Sequence, residues 1–139
     1  MAKSREDLVK WSLRKAEEYL QSAQANVDAG RLFPAAEEIF RSFESSLEAL
    51  LYHFGVRKIE YPGRRAKFTG RLALQFLIRD NLVRAGRLER ETYDRYLGLA
   101  MELHRAGYQP SRTFSKEDLV KNLRFAEDLL TKAKSIVMR

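Results

Sequence analysis

Residues 34–54, PAAEEIFRSFESSLEALLYHF, decide the fold class, because their apolar side chains recur at the spacing of an α-helix. The apolar stripe consists of Ala36, Phe40, Phe43, Leu47, Leu50, Leu51 and Phe54. Pro34 suits the first turn of a helix, where its missing N–H would have no partner in any case. The segment therefore predicts a long amphipathic helix.

Two further faces of this helix predict what surrounds it. Beside the apolar stripe runs a charged stripe of Glu37, Arg41, Glu44 and Glu48. A third face carries only the small residues Ser42, Ser45, Ser46 and Ala49. Small side chains let another helix approach closely, so the helix should have neighbours on two sides and lie near the middle of a bundle. We also expect the small-residue face to take part in dimerisation.

The same spacing continues on both sides of this segment and predicts four more helices. The first runs from about Ser4 to Ala29 and ends at Gly30, with an apolar stripe of Leu8, Leu13, Ala16, Leu20, Ala23 and Val27. The third runs from about Thr69 to Ala85 and is closed by Gly86. The fourth runs from about Leu88 to Ala106, with a stripe of Tyr93, Leu97, Ala100 and His104.

The fifth helix has the clearest start signal in the sequence. Ser115 can cap it, with Asp118 at the third helical position, and Phe114 and Leu119 flank the cap as a hydrophobic staple. Five helices with short connections predict an all-α antiparallel helical bundle. With 139 residues and 45% hydrophobic content, we expect a single domain spanning residues 1–139.

The composition excludes several classes of protein. The absence of cysteine rules out disulfides, thiolate catalysis and cysteine-bound zinc, and two isolated histidines argue against a His-based metal site. We therefore expect no metal and no cofactor. No apolar run reaches the roughly 18 residues that span a bilayer, and the N-terminus lacks the apolar middle of a signal peptide. These features predict a cytoplasmic protein that does not bind membranes.

The net charge of +7 is confined to one part of the chain. Residues 56–90 hold ten basic and three acidic side chains, which leaves the remainder neutral. Such asymmetry favours an anionic partner, whether nucleic acid, nucleotide or an acidic protein surface. The candidate binding residues, in or next to the long loop at 55–68, are Arg57, Lys58, Arg64, Arg65, Lys67 and Arg71. The alternative is a basic loop that is merely solvated.

The stretch MELHRAGYQPSR, residues 101–112, is the candidate for chemistry at the end of the fourth helix. His104 is the one plausible proton carrier here and Arg105 could stabilise a phosphate, but adjacent residues point about 100° apart around a helix. Arg105 and Tyr108, three apart, can share a face and meet a phosphate or a base. In the alternative reading, His104 is a structural histidine on the apolar stripe and Tyr108 only packs over the helix end before Pro110.

Four segments together resemble one known family. They are KAEEYLQSAQANVDAG (15–30), FPAAEEIFRSFESSLEALL (33–51), LHRAGY (103–108) and FSKEDLVKNLRFAEDLL (114–130). Their order and patterning resemble the HEPN superfamily, and within it the small stand-alone proteins often paired with minimal nucleotidyltransferases. The resemblance covers about residues 6–135. It implies an up-and-down bundle of four long helices plus a shorter one, a homodimer, and a cleft lined by the polar faces of helices two and four.

The chain departs from the ribonuclease members of that superfamily. They resemble one another in an Arg followed after four to six residues by a His; here Arg95 precedes His104 by nine positions and no His follows Arg105. The stand-alone relatives tend to end this helix in Arg-Ala-Asp-Tyr, whereas Gly107 stands here in place of the Asp. The resemblance therefore implies a protein that binds without cleaving.

We accordingly expect a non-catalytic nucleotide-, RNA- or partner-binding protein, one half of a toxin–antitoxin pair with a minimal nucleotidyltransferase. Its binding residues would include Arg105, Tyr108, Arg41 and Glu44, and a partner that modifies a hydroxyl would use Tyr108. The alternative is a metal-independent HEPN ribonuclease toxin. Its rearranged site would be built from His104, Arg105 and the charged stripe of helix two.

Overall fold

A computed structural model describes residues 4–56, 71–111 and 113–138, and in these ranges the chain folds into helices and turns alone. Five helices pack against each other: α1 (Arg5–Asp28), α2 (Leu32–His53), α3 (Arg71–Ile78), α4 (Arg90–Tyr108) and α5 (Lys116–Val137). The predicted all-α bundle of four long helices plus a shorter one is confirmed. None of the described helices is long and apolar enough to cross a membrane.

The central position predicted for α2 is confirmed. It contacts α1, α3, α4 and α5, so every other helix of the described chain packs on it. Phe40 and Leu47 on its apolar stripe are fully buried, and so is the neighbouring Ile39. Because α2 buries apolar or small side chains on most of its circumference, its removal would leave the remaining helices without a common core.

The helix ends follow the signals in the sequence. The hydroxyl of Ser115 accepts a hydrogen bond of 3.0 Å from the backbone N–H of Asp118, and Ser4 caps α1 in the same way. Gly30 and Gly86 end their helices with φ angles of +76° and +72°, in the left-handed region that side chains disfavour. These local stops allow each helix to turn back within a few residues.

The small-residue face of α2 is covered by α1 of the same chain. Ser42 donates a hydrogen bond of 2.7 Å to the carbonyl oxygen of Ala16 on α1, and Ser46 and Ala49 are fully buried. The expectation that this face serves dimerisation is therefore wrong. The physical reason is that α1 precedes α2 by a short turn and reaches the face first, without the entropic cost of association.

Two details of α1 and α3 differ from the sequence-based expectation. On α1 the fully covered positions near the N-terminus are Val9 and Ser12, and the flanking Leu8 and Leu13 are half-buried. After α3 the helix continues as a π-helical stretch, Arg79–Val83, which ends with a hydrogen bond of 2.9 Å from the Arg84 N–H to the carbonyl of Arg79. A π-turn leaves no clear pattern in sequence periodicity.

Candidate binding surface

The charged stripe of α2 lies on the side of the helix between α1 and α4. Exposure falls along it: Glu37 and Arg41 are exposed, Glu44 is half-buried and Glu48 is 4% exposed. Arg41 pairs with Glu37 at 3.0 Å. The hydrogen bond to Glu37 is the main cause that raises the pKa of Arg41 above its ordinary value, and Tyr19 of α1 adds to it. Arg41 is thus a fixed cation facing solvent.

Glu44, a residue predicted to bind, is engaged with α4. The hydroxyl of Tyr96 donates a hydrogen bond of 2.6 Å to Glu44 Oε2, and Tyr96 is fully buried. Its ring lies parallel to Phe40, with 5.4 Å between the ring centroids, and parallel to Phe43 at 6.3 Å. The aromatic contacts and the hydrogen bond together set the register of α4 on α2.

The end of α4 presents an exposed pair of rings. The helix persists to Tyr108, whose side chain is 77% exposed. The ring centroids of His104 and Tyr108 lie 4.8 Å apart. Because α4 persists to Tyr108, Arg105 and Tyr108 lie three positions apart on one side of the helix, and Arg105 Nη1 also lies 3.7 Å from Glu102 Oε1.

Two interpretations of this region are wrong. His104 is exposed and does not lie on the buried stripe, because the fully covered residues of α4 are Tyr93 and Tyr96. Nor does Tyr108 pack over the helix end, given its exposure. Tyr93, Leu97 and Ala100 of the predicted stripe do pack on the core, and the stripe ends before His104.

The two histidines lie at opposite ends of the bundle. His53 is the last residue of α2, and its ring meets that of Phe54 at 4.9 Å. Since Tyr96 meets Glu44 and α4 runs antiparallel to α2, His104 lies near the start of α2, roughly 25 Å from His53 along the bundle at 1.5 Å per residue. One chain therefore does not bring two imidazoles together. The described residues also contain no group of three side chains suited to hold a metal ion.

The basic segment is only partly within the described chain. Of the predicted binding residues, Arg57, Lys58, Arg64, Arg65 and Lys67 lie outside the described residues, and Arg71 is the first residue of α3. Their predicted role in binding an anion stays a prediction.

Several described arginines of this segment have acidic partners. Asp80 lies between Arg79 at 3.0 Å and Arg84 at 3.4 Å, and Arg90 pairs with Asp94 at 3.3 Å. A count of basic residues in the sequence therefore overstates the free positive charge of the part from 79 to 90.

Aromatic residues outside the charged stripe divide into core and surface. Tyr93 and Tyr96 are buried in the core, whereas Trp11 is 52% exposed, with Lys15 Nζ 3.7 Å from the centroid of its ring. The sequence pattern could have found Tyr96, since it follows Tyr93 by three positions. Its pairing with Glu44 depends on how the helices pack, which periodicity does not encode.

The fold and these contacts define a small all-α bundle with a charged stripe on its central helix and an exposed aromatic end on α4. The chain belongs to the archaeal PaREP1/PaREP8 family, whose family model matches residues 12–132. A search of curated proteins found no match.

Proposed function

We propose that this protein is a HEPN-like binding protein that holds RNA or a nucleotide at the end of α4 without cleaving it. The observation that carries the proposal is the 77% exposure of Tyr108, with its ring against His104 and the guanidinium of Arg105 one helical turn away. Exposed aromatic rings stack on bases, and an adjacent Arg pairs with phosphate.

The same geometry argues for binding over cleavage. Metal-free RNA cleavage needs one group to accept a proton and another to donate one, and a histidine serves best near neutral pH. His104 has no second histidine near it in its own chain, since His53 lies at the other end of the bundle. Binding requires neither proton carrier.

The wider proposal follows the HEPN resemblance. The packing of α2 on α4 through Glu44 and Tyr96 is compatible with a small HEPN-like bundle. We propose a single cytoplasmic domain over residues 1–139 that forms a homodimer and works with a minimal nucleotidyltransferase as one half of a toxin–antitoxin pair. An exposed Tyr108 hydroxyl is open to such a partner enzyme.

The first test is retention of labelled single-stranded RNA by the purified protein in EDTA. Tyr108→Ala should weaken binding about 5- to 100-fold, the range expected for loss of one stacked base, and Arg105→Ala should weaken it as well. The matched control is Arg14→Ala, since Arg14 is also a surface arginine paired with a glutamate on its own helix. Equal binding by all three variants and the wild type would refute the proposal.

The alternative, a ribonuclease toxin, is supported by the accessibility of His104. The same incubations, resolved on a denaturing gel, distinguish it from binding alone. RNA that is cut by the wild type and left intact by His104→Ala would establish the enzyme. Intact RNA in every lane, with retention lost in Tyr108→Ala, supports the binding protein.

The partnership has its own test. A minimal nucleotidyltransferase encoded next to this gene is expected, and co-expression of the two followed by intact-mass measurement would detect a nucleotide added to this chain. The added mass should disappear in Tyr108→Phe, which keeps the ring and removes only the hydroxyl. An added mass that persists in this variant would exclude Tyr108 as the modified residue.

A further inference from the structure

A groove separates α4 from α5 on the side of the bundle away from α1. Its volume is about 650 Å³, within the range of small-molecule sites. The apolar part of its lining comes from three helices and includes Ile39, Leu99, Leu103 and Leu119. Phe114, whose ring meets Phe33 edge-on at 5.4 Å, also lines the groove. The shape is that of a partly enclosed slot lined by both apolar and polar side chains.

Gly98 leaves open space on the α4 wall of the groove. It lies in the interior of α4, where glycine destabilises a helix relative to alanine, and it lines the groove. A Cβ atom added at Gly98 would meet no atom of the described residues within 4 Å. No neighbour in the described chain therefore needs the room that this glycine leaves. The room suits a group that is not part of the chain.

Arg95 places a cation at one end of the groove. Its guanidinium lies over the ring of Phe125, 3.5 Å from the centroid, and this contact bridges α4 and α5. Arg95 is half-buried, and among the described residues no carboxylate lies within ion-pair distance of it, in contrast to Arg14 and Arg90. A guanidinium that stacks by its face keeps its N–H edge available for a phosphate or carboxylate.

The opposite end of the groove carries acceptors. Glu102 follows Arg95 by two helical turns on α4, and Asp118 precedes Phe125 by two turns on α5, so both lie about 10 Å from Arg95 along the groove. Asn122 lines the wall between the two ends. Carboxylates accept hydrogen bonds only, so this end favours a ligand edge rich in N–H donors.

We infer that the groove between α4 and α5 binds a purine nucleoside monophosphate, with the phosphate at Arg95 and the donor edge of the base at Asp118 and Glu102. In such a ligand the phosphate, the flat ring and the N–H donor edge follow one another. The groove presents their partners in the same order: the guanidinium of Arg95, apolar walls and carboxylate acceptors. Guanine fits best, because two adjacent N–H groups can meet one carboxylate. The ligand class rests on the proposed nucleotide-binding function, but the site is separate from Tyr108.

The test is a calorimetric titration of the full chain with guanosine monophosphate. Gly98→Leu should abolish binding because its side chain would fill the groove, and Gly98→Ala should reduce binding less. Arg95→Gln should weaken binding by about tenfold or more, as expected for lost hydrogen bonds to a charged group. The control is Arg124→Gln on the exposed side of α5, which should bind as the wild type does.

Titrations with fragments of the ligand show which ends of the groove contribute to binding. Inorganic phosphate and guanosine, each titrated alone, should bind far more weakly than the monophosphate, and inosine monophosphate, which lacks the 2-amino group, should bind several-fold more weakly. No binding of guanosine monophosphate to the wild type, or equal binding to Gly98→Leu, would overturn the inference. So would a change of oligomeric state in Gly98→Leu, since the groove would then hold a second copy of the chain.

The result is separable from the RNA experiment. Gly98→Leu leaves Arg105 and Tyr108 in place and should retain RNA as the wild type does. For two separate sites we expect the reverse result in Tyr108→Ala, which should lose RNA retention but bind guanosine monophosphate normally. Failure of the groove alone would leave the α4 end as the sole binding surface proposed here.

Discussion

The hydroxyl of Tyr96 on α4 donates a hydrogen bond of 2.6 Å to Glu44 Oε2 on α2, and the two residues are 52 positions apart in the sequence. Tyr96 is fully buried and Glu44 is half-buried, so the contact lies at the buried side of the charged stripe. It also holds α4 at a fixed height on the central helix. Loss of this contact should loosen the side of the bundle that carries Tyr108.

Tyr96→Phe should lower the free energy of unfolding by about 1.5 kcal/mol, because it removes a hydrogen bond to a carboxylate from a buried ring. Chemical denaturation followed by circular dichroism measures the change. The matched control is Tyr93→Phe, whose hydroxyl bonds the Gln75 carbonyl at 3.3 Å and should cost only about 0.5 kcal/mol. Equal losses in the two variants would contradict the importance of the Glu44 contact.

Ser115→Ala should destabilise the protein by about 1 kcal/mol, because the first turn of α5 loses the acceptor for the Asp118 N–H. Thermal and urea unfolding give the value. Ser135→Ala on the exposed side of the same helix removes a hydroxyl that caps nothing, and it should change stability by less than about 0.5 kcal/mol. A Ser115 variant as stable as Ser135→Ala would show that the cap is dispensable.

Ala49→Leu should destabilise the protein by about 1 to 3 kcal/mol, since it forces extra volume into the closed contact between α1 and α2. Because this contact lies within one chain, the loss should be independent of protein concentration. Ala25→Leu, on the exposed side of α1, is the control and should be nearly neutral. A loss that grows on dilution would instead place this face between two chains.

Burial raises the pKa of the Tyr93 hydroxyl above its ordinary value near 10. The folded state then keeps the proton at pH values where the unfolded chain has released it. The stabilisation from the neutral hydroxyl is complete below pH 10 and is lost as the pH rises through the folded pKa. The free energy of unfolding should therefore fall more steeply above pH 10 in the wild type than in Tyr93→Phe. Parallel pH profiles would refute this assignment.

The basic loop gives a salt-dependent prediction. Replacement of Arg64, Arg65 and Lys67 by Ser should flatten the dependence of RNA affinity on salt concentration, because fewer counterions are released on binding. A control triple replacement of Lys10, Arg14 and Lys116 by Ser removes the same charge from exposed positions elsewhere. An unchanged slope in the loop variant would leave the loop as a solvated segment.

Local features of the fold could be predicted because their causes lie within a few residues. Ser115 with Asp118 sets a helix start through one hydrogen bond, and Gly30 and Gly86 set helix ends through their tolerance of positive φ. The apolar period of residues 34–54 likewise predicts a central helix, because every face of α2 except the charged one must be covered.

The residues at the candidate site were harder to place because their surroundings come from other helices. The sequence suggested a position on the apolar stripe of α4 for His104, and this was wrong because the structure places His104 at the surface. On a helix with several tyrosines and few strongly apolar residues, more than one stripe fits the period. The packing of Tyr96 between α4 and α2 selects one of them.

The helices, most of their ends and the central position of α2 follow from the sequence, since propensity, capping and periodicity act over one or two turns. Three features became visible only in the packed bundle: α1 covers the small-residue face, Glu44 accepts the Tyr96 hydroxyl, and a groove remains between α4 and α5. These outcomes depend on which helices reach each other first and on how their ridges interlock. Both are properties of the whole chain in three dimensions.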